Sequence, residues 1–475
     1  MKRFQNVKLS AVDRSAFSVF SAAANVGTLA ESIMAVVRRA ARHPMTEGAV
    51  LLAVSQYLAA AIGLITSIVS ARLLGPKDFG LTAVIMSYPM LLGALLAVKS
   101  GTVTTRYISA FRERYQDDAL ESICLLGFTL DFVVSLTAFI LVAATAWWVA
   151  DHFFYAPGAA WLMVAFAAAF PIWSLHGTSG AILTSFQRFR WVAGLQLLDQ
   201  AVSSVLVIGL LVAGFGVTGA VLGTAAGHVL KALITTTVAS SVFYRERSTY
   251  WWRGSLARVK PLRKEISRLF GWNYLAVTWS GLIAQLPLMI LAHLRGPEAA
   301  GFYRLATSIV TAGSYLETSM GKVAYPTLSM RWGADSRERF RQALQRWTLQ
   351  AGLPVGLLVL LTIPFLPMIV PIVFGAHYAP MVPGVQIMMA GAAVSAIFFW
   401  LNSFYYASAN VSLWTIGYAL QTIIVIGMAW IFVGRWGFPG MAVLSAAGKV
   451  AFTLTMTVVF YKLASSRSTG KENIS

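Results

Sequence analysis

The sequence predicts an all-α polytopic membrane protein with about 12 transmembrane helices in two parallel six-helix repeats. Composition is the first reason. Charged residues make up 12% of the 475 residues and apolar residues 57%, whereas soluble domains carry about 25% charge. Length is the second: twelve separate stretches each hold the roughly 20 mostly apolar residues that a helix needs to cross the hydrocarbon. The third is a repeat at a fixed offset of 221 residues. A soluble globule is excluded for want of polar surface, and a disordered chain for want of charge. Cys124 is the single cysteine, which excludes a disulfide framework and any cysteine-based metal cluster.

The spans are predicted at 49–71, 80–98, 122–149, 159–184, 191–213 and 218–243, then 272–293, 300–325, 350–374, 384–407, 412–433 and 440–461. Each is continuously apolar rather than alternating with period two, so helices are expected and barrel strands are not. Residues 1–44 precede them as a basic extension. Within it, Leu29, Ile33, Val36, Val37 and Ala40 recur at helical spacing beside Arg38, Arg39 and Arg42. That pattern suits a helix lying in the cytoplasmic interface, and a basic tail is the rival reading. The segments expected are an N-lobe over 45–244, a basic linker over 245–271 with Trp251, Trp252 and Pro261, a C-lobe over 272–462 and a tail over 463–475.

Orientation follows from the Lys/Arg bias of short loops. The second, fourth, sixth and eighth connections and both termini carry most of the basic residues, eight of them between Arg245 and Arg268, and only Arg72 with Lys77, Arg295 and Arg435 break the pattern. The loops 151–158, 214–217 and 375–383 carry none. Both termini are therefore expected on the cytoplasmic side, and the formal net charge of +19 records topology. A nucleic-acid patch would concentrate that charge on one surface, whereas here it is divided among six segments.

The halves align in one register. Gly75-Pro76 with Gly80 matches Gly296-Pro297 with Gly301. Val212, Gly216, Gly219, Ala225, Ala226, Gly227 and Val229 match Val433, Gly437, Gly440, Ala446, Ala447, Gly448 and Val450 at the same offset. Six spans separate the copies, so the halves run parallel, as in one class of transporter with its site between the lobes.

The segment Ala71-Arg72-Leu73-Leu74-Gly75-Pro76-Lys77-Asp78-Phe79-Gly80 resembles the signature of the bacterial polysaccharide transporter family. So does its copy, Leu294 to Tyr303, and Tyr325-Pro326-Thr327-Leu328-Ser329 is similar to that family's ending of span eight. These are the Wzx-type flippases of the multidrug/oligosaccharidyl-lipid/polysaccharide (MOP) superfamily. The resemblance implies a V-shaped, two-lobed helical transporter with a cationic central lumen. Its substrate would be an undecaprenyl-pyrophosphate-linked oligosaccharide crossing the bacterial inner membrane. Read as structure, the signature is a loop in which Gly-Pro makes the turn and the later glycine starts the next helix.

Ionisable groups inside spans cost about 2.5–3.5 kcal/mol at the helix centre, and they mark function by default. The basic ones are Lys99, Lys231, Arg304, Lys322 and Lys449; the acids are Asp131, Asp199 and Glu317. His176, His228 and His293 also lie in spans, and His228 holds the repeat position of Lys449. A pyrophosphate leaving water needs cationic partners. The expected substrate-binding set is therefore Lys231, Lys449, Lys99, Lys322, Arg304 and His228. Snorkelling is the bland reading for Lys99, Lys322 and Arg304, nearer the span ends. Asp131, Asp199 and Glu317 either neutralise lysines or take H⁺ or Na⁺ for coupling.

No enzyme motif, metal set or phosphate-binding G-x-x-x-x-G-K-[S/T] loop appears, so a transporter without a cofactor is expected. Asp117-Asp118 stands alone among charged neighbours and reads as a solvated helix start. Two other classes compete. A cation-coupled exporter of small amphipathic drugs should have an acidic or neutral lumen, whereas here five basic groups meet three acids. A polymerase or ligase of the polysaccharide pathway should have a large outside loop. Membrane lipid, and the pathway's polymerase and glycosyltransferases, are the partners a flippase would meet; no nucleic acid is expected.

Overall fold

A straight helix of 53 residues would run about 80 Å at 1.5 Å per residue, far beyond the roughly 30 Å of hydrocarbon. The computed structural model of the chain, which describes residues 44–96, 100–113, 117–259, 263–334, 337–408 and 410–466, shows how that length is folded. Pro44–Leu96, Arg263–Ala334 and Val411–Ser466, of 53, 72 and 56 residues, are each broken at one glycine. Gly75 has φ 72° and ψ 172°, Gly296 φ 82° and ψ 177°, and Gly437 φ 61° and ψ −137°. The first two values lie where a residue with a Cβ is essentially not found. Broken there, each of these three helices is long enough to pass the membrane twice. Asp118–Phe153, Pro157–Ser185, Phe189–Val212, Gly216–Arg247, Phe340–Phe374 and Ala376–Ile397 pass once. The chain is thus an all-helical, multi-pass membrane protein with twelve passes and no strand among the described residues.

The internal repeat is visible in the backbone. Gly75 and Gly296 share a positive φ, and so do Gly216 (φ 53°) and Gly437 (φ 61°), both pairs at the offset of 221. The expected loop over 71–80 is not a loop. Helix runs up to Gly75 and resumes at Pro76. Gly80 does not start that helix; it makes room for the other repeat. A Cβ on Gly80 would lie 1.8 Å from the Pro297 carbonyl oxygen, and one on Gly301 would lie 2.6 Å from that of Pro76. The repeats meet reciprocally, backbone against backbone.

The apolar cores give the molecule its two-lobed, V-shaped plan. One cluster joins Ile85, Tyr88 and Phe166 of the first half to Leu291, Tyr303 and Phe374 of the second. It lies at the Gly75/Gly296 end. Toward the other end the halves have separate cores, one around Ile108, Cys124 and Phe243 and one around Phe340, Phe404 and Phe460. At the shared end, Tyr378 Oη donates to Ala71 O at 3.0 Å and Arg72 Nε to Val373 O at 2.7 Å. Toward the divided end, Tyr57 Oη donates to Tyr315 O at 2.9 Å and Tyr274 Oη to Leu95 O at 2.5 Å.

The first residues after span six dock on the N-terminal half. Trp251 packs against Phe128 with ring centroids 4.0 Å apart and planes tilted by 33°, and donates to Ser240 Oγ at 2.9 Å, while the Ser255 amide donates to Ser122 Oγ at 3.0 Å. Asp117 opens the helix Asp117–Trp148, and Asp118, 76% exposed, pairs with Arg258 at 3.1 Å. The expected interfacial helix within 1–44 lies outside the described residues.

Candidate functional site

The N-terminal half positions its charges through a glycine seam. Spans five and six run antiparallel, and small residues on span six let the backbones close. A Cβ on Gly223 would meet Val207 at 2.9 Å, and one on Gly227 would meet Ser203 Oγ at 2.3 Å. Four residues further along span six and four back along span five, the same seam carries Lys231 and Asp199. Lys231 Nζ donates to Asp199 Oδ2 at 2.8 Å, with side chains 24% and 14% exposed. Asp199 Oδ1 is buried without a hydrogen-bond partner among the described residues. A small cavity lined by Leu195, Leu198, Val202 and Ile234 adjoins the pair.

The C-terminal half is looser. Lys449 Nζ lies 3.9 Å from Glu317 Oε2, with side chains 33% and 22% exposed. Ser395 Oγ donates to Glu317 Oε1 at 2.9 Å. Glu317 Oε2 is buried and lacks a hydrogen-bond partner among the described residues. Three helices therefore meet at this carboxylate: span eight carries it, span ten donates to it and span twelve faces it with a cation.

His228 precedes Lys231 by three residues and stacks on Trp173, with centroids 4.0 Å apart and rings 4° from parallel. His176 stacks on the same indole at 6.2 Å. Neither His228 Nδ1 nor Trp173 Nε1 has a hydrogen-bond partner among the described residues. Asp131 Oδ2 accepts from Thr178 Oγ1 at 2.7 Å and from the Thr178 amide at 3.3 Å. His293 stacks on Phe153 at 4.5 Å, where the halves meet. Arg304 is exposed on span eight, with no ion pair or side-chain hydrogen bond among the described residues. Lys99 and the side chain of Lys322 lie outside the described residues.

The structure thus brings Lys231 to Asp199, with His228 beside them, and Lys449 to Glu317. It leaves these two groups in separate lobes. Sequence reasoning missed the Trp173 stack and Ser395, which carry no motif.

Sequence comparison adds a family. The family model described as polysaccharide biosynthesis protein matches residues 45–332. The chain belongs to that family. No curated protein sequence matches it significantly. This polysaccharide biosynthesis protein is also similar to solved structures. One is an inward-facing multidrug-resistance MATE-family transporter of the MOP superfamily: TM-score 0.69, 16% identity, 86% of this chain and 96% of that one. A second is the lipid II flippase MurJ, inward closed: TM-score 0.66, 15% identity, 87% of each chain. A third is a MOP-superfamily transporter from Pyrococcus furiosus described as having a binding pocket of reverse polarity: TM-score 0.62, 16% identity, 90% of this chain and 98% of that one. At these identities the likeness shows that the family member has the MOP fold.

Proposed function

We propose that the protein is a flippase. It carries an undecaprenyl-pyrophosphate-linked oligosaccharide repeat unit from the cytoplasmic to the outer leaflet of the bacterial inner membrane, for exopolysaccharide, capsule or O-antigen synthesis. The observation that carries this reading is Arg304. A member of a polysaccharide biosynthesis family exposes, inside a membrane helix, a guanidinium that no acid among the described residues neutralises. Such a charge is tolerated where it faces water or an anion, and rarely against lipid. Guanidinium matches phosphate oxygens in a bidentate fork. Lys231 and Lys449 add cations to this set, with His228 beside Lys231; Lys99 and Lys322 join it by sequence alone.

The two-lobed plan supports alternating access. The lobes hinge about their shared apolar core, so the gap between their separate cores opens or closes to the cytoplasm. A pyrophosphate entering the gap competes with Glu317 and Asp199 for the lysines. A released carboxylate is then able to take H⁺ or Na⁺, which ties substrate movement to the ion gradient. Asp131 is the third candidate for that role. The chain itself transforms no covalent bond in this cycle, and both termini stay cytoplasmic.

Deletion of the gene, followed by assay of surface polysaccharide and of lipid-linked units retained inside, tests the reading. Surface polysaccharide is expected to fall and the units to accumulate. Arg304→Gln should weaken the hold on pyrophosphate by about 1.5–3 kcal/mol, the worth of a charged hydrogen bond, or roughly 10- to 150-fold. Arg304→Lys should retain part of the export. Normal surface polysaccharide after deletion refutes the assignment, and drug sensitivity in the same strain would point to the exporter instead.

A further inference from the structure

The exposed faces of the membrane helices are of two kinds. Span nine exposes Leu353, Leu357, Leu361 and Phe365, and span eleven exposes Ile416, Leu420, Ile424 and Ile431. Those are surfaces that lipid accepts. Span eight instead exposes Arg304, Thr311, Thr318 and Tyr325, at an unbroken seven-residue interval. Thr307, Ser308 and Ser314 flank the line half-buried, while residues 301–303, 305 and 306 are buried. From Arg304 to Thr318 is about 21 Å of helix, some two-thirds of the hydrocarbon thickness of about 30 Å.

Helix self-satisfaction explains only part of this. Thr307 Oγ1 donates to Arg304 O at 2.8 Å, Ser314 Oγ to Val310 O at 3.0 Å and Thr318 Oγ1 to Ser314 O at 3.0 Å. A hydroxyl bonded back in this way can face lipid. The guanidinium at the outer end of the same line reaches water by its length, but Thr311 and Thr318, exposed deeper in the span, have no charged stem to carry them there. An unbroken polar line of this depth fits a face that meets water or a polar substrate rather than acyl chains.

We propose that this stripe is the track along which the glycan of the substrate moves, which rests on the flippase reading above. Each back-bonded hydroxyl keeps acceptor capacity and can turn to donate, so it can exchange hydrogen bonds with sugar hydroxyls. One hydroxyl recurs per turn, about 5.4 Å apart, the scale of a sugar ring. Each bond is weak when both partners are neutral, so a chain of sugars is passed along rather than held. A polyprenyl tail would gain nothing from these groups, and a pyrophosphate would call for further cations. Arg304 ends the track near the shared core, where it meets the anionic link.

The test uses the full chain carrying Cys124→Ala, since the native cysteine is buried. Thiols react as thiolates and need water. Thr311→Cys and Thr318→Cys should react with a water-soluble maleimide in membranes open to both faces; Leu357→Cys and Ile424→Cys should not. In cells, the Thr307→Val/Thr311→Val/Thr318→Val triple should cut polysaccharide export at least about tenfold, from three bonds each worth a factor of about two to ten. The matching triple serine variant should retain export. Single valine variants, read beside the triple, keep the ranking available should the triple fail to reach the membrane. Unreactive thiols at 311 and 318, or full export by the valine variants, overturn the track while leaving a flippase established by deletion intact. Normal surface polysaccharide after deletion removes both readings together.

Discussion

Taking away the Lys231 ammonium strands a carboxylate. Asp199 is 14% exposed, receives Lys231 at 2.8 Å and has a second oxygen that is already buried without a hydrogen bond among the described residues. Breaking a buried pair from one side costs about 3–5 kcal/mol, whereas deleting both partners is much cheaper. The pair keeps some exposure, so the lower end applies. About 3 kcal/mol corresponds to roughly a 140-fold fall in the folded-to-unfolded ratio. Lys231→Ala should therefore reduce the folded protein sharply. Asp199→Ala should do so less, because a lysine stem can reposition its charge toward water. Lys231→Ala with Asp199→Ala should recover most of the loss, with a coupling of about 2–3 kcal/mol in the double-mutant cycle. The assay is the surviving monodisperse fraction of a fluorescent fusion in mild detergent after graded heating. Single variants that survive heating as the parent does, or a double variant that adds their losses, would refute the reasoning. The same cycle separates strut from path: a double variant that folds and exports assigns Lys231 to structure, and one that folds without exporting assigns it to the substrate.

Gly80→Ala or Gly301→Ala should abolish folded protein, because the new methyl meets backbone that cannot step aside, while Gly158→Ala, with nothing within 4 Å, should leave its amount unchanged. Glu317→Gln should cost only about 1 kcal/mol, since its lysine is 3.9 Å away and Ser395 can still donate; export that keeps its full dependence on the ion gradient would exclude Glu317 as the coupling acid. Cysteine reporters at Ser255 and Ala334 should be shielded from impermeant reagents in intact cells and one at Ala376 labelled; the reverse pattern would invert the orientation.

The fold was legible because its signals are local. Apolar runs of span length and the Gly-Pro pairs at 75–76 and 296–297 each need only a short window to be read. The site was legible in depth and not in direction. Sequence places Lys231 and Asp199 inside spans six and five, but only packing turns them toward each other. The glycines at 223 and 227 set that rotation, and their meaning appears once Val207 and Ser203 stand opposite. Glu317 and Lys449 are farther apart in the chain, on helices that no spacing rule joins. Gly80 misled for the same reason: its partner, the carbonyl of Pro297, lies in the other repeat. The heptad of Arg304, Thr311, Thr318 and Tyr325 stands in the sequence, yet a seven-residue period serves a packed seam as readily as a wet face. Exposure decides between them.

The repeats also show how a duplicated fold divides its labour. One register position holds His228 in the first half and Lys449 in the second. In the first half the histidine is stacked on Trp173, and the cation has moved one turn on, to a short bond with Asp199 on the adjacent helix of its own bundle. In the second half the cation stays in register and reaches toward span eight. Span eight also carries the hydroxyl stripe, with Glu317 next to Thr318 and about a quarter-turn round the helix from it. A shift or rotation of span eight would therefore change the Lys449–Glu317 distance directly, whereas the Lys231–Asp199 pair would feel it only through the hinge. The shorter, drier pair is the harder of the two to separate and the longer, wetter one the easier. On the flippase reading proposed above, the movable charge would therefore lie beside the path of a polar substrate.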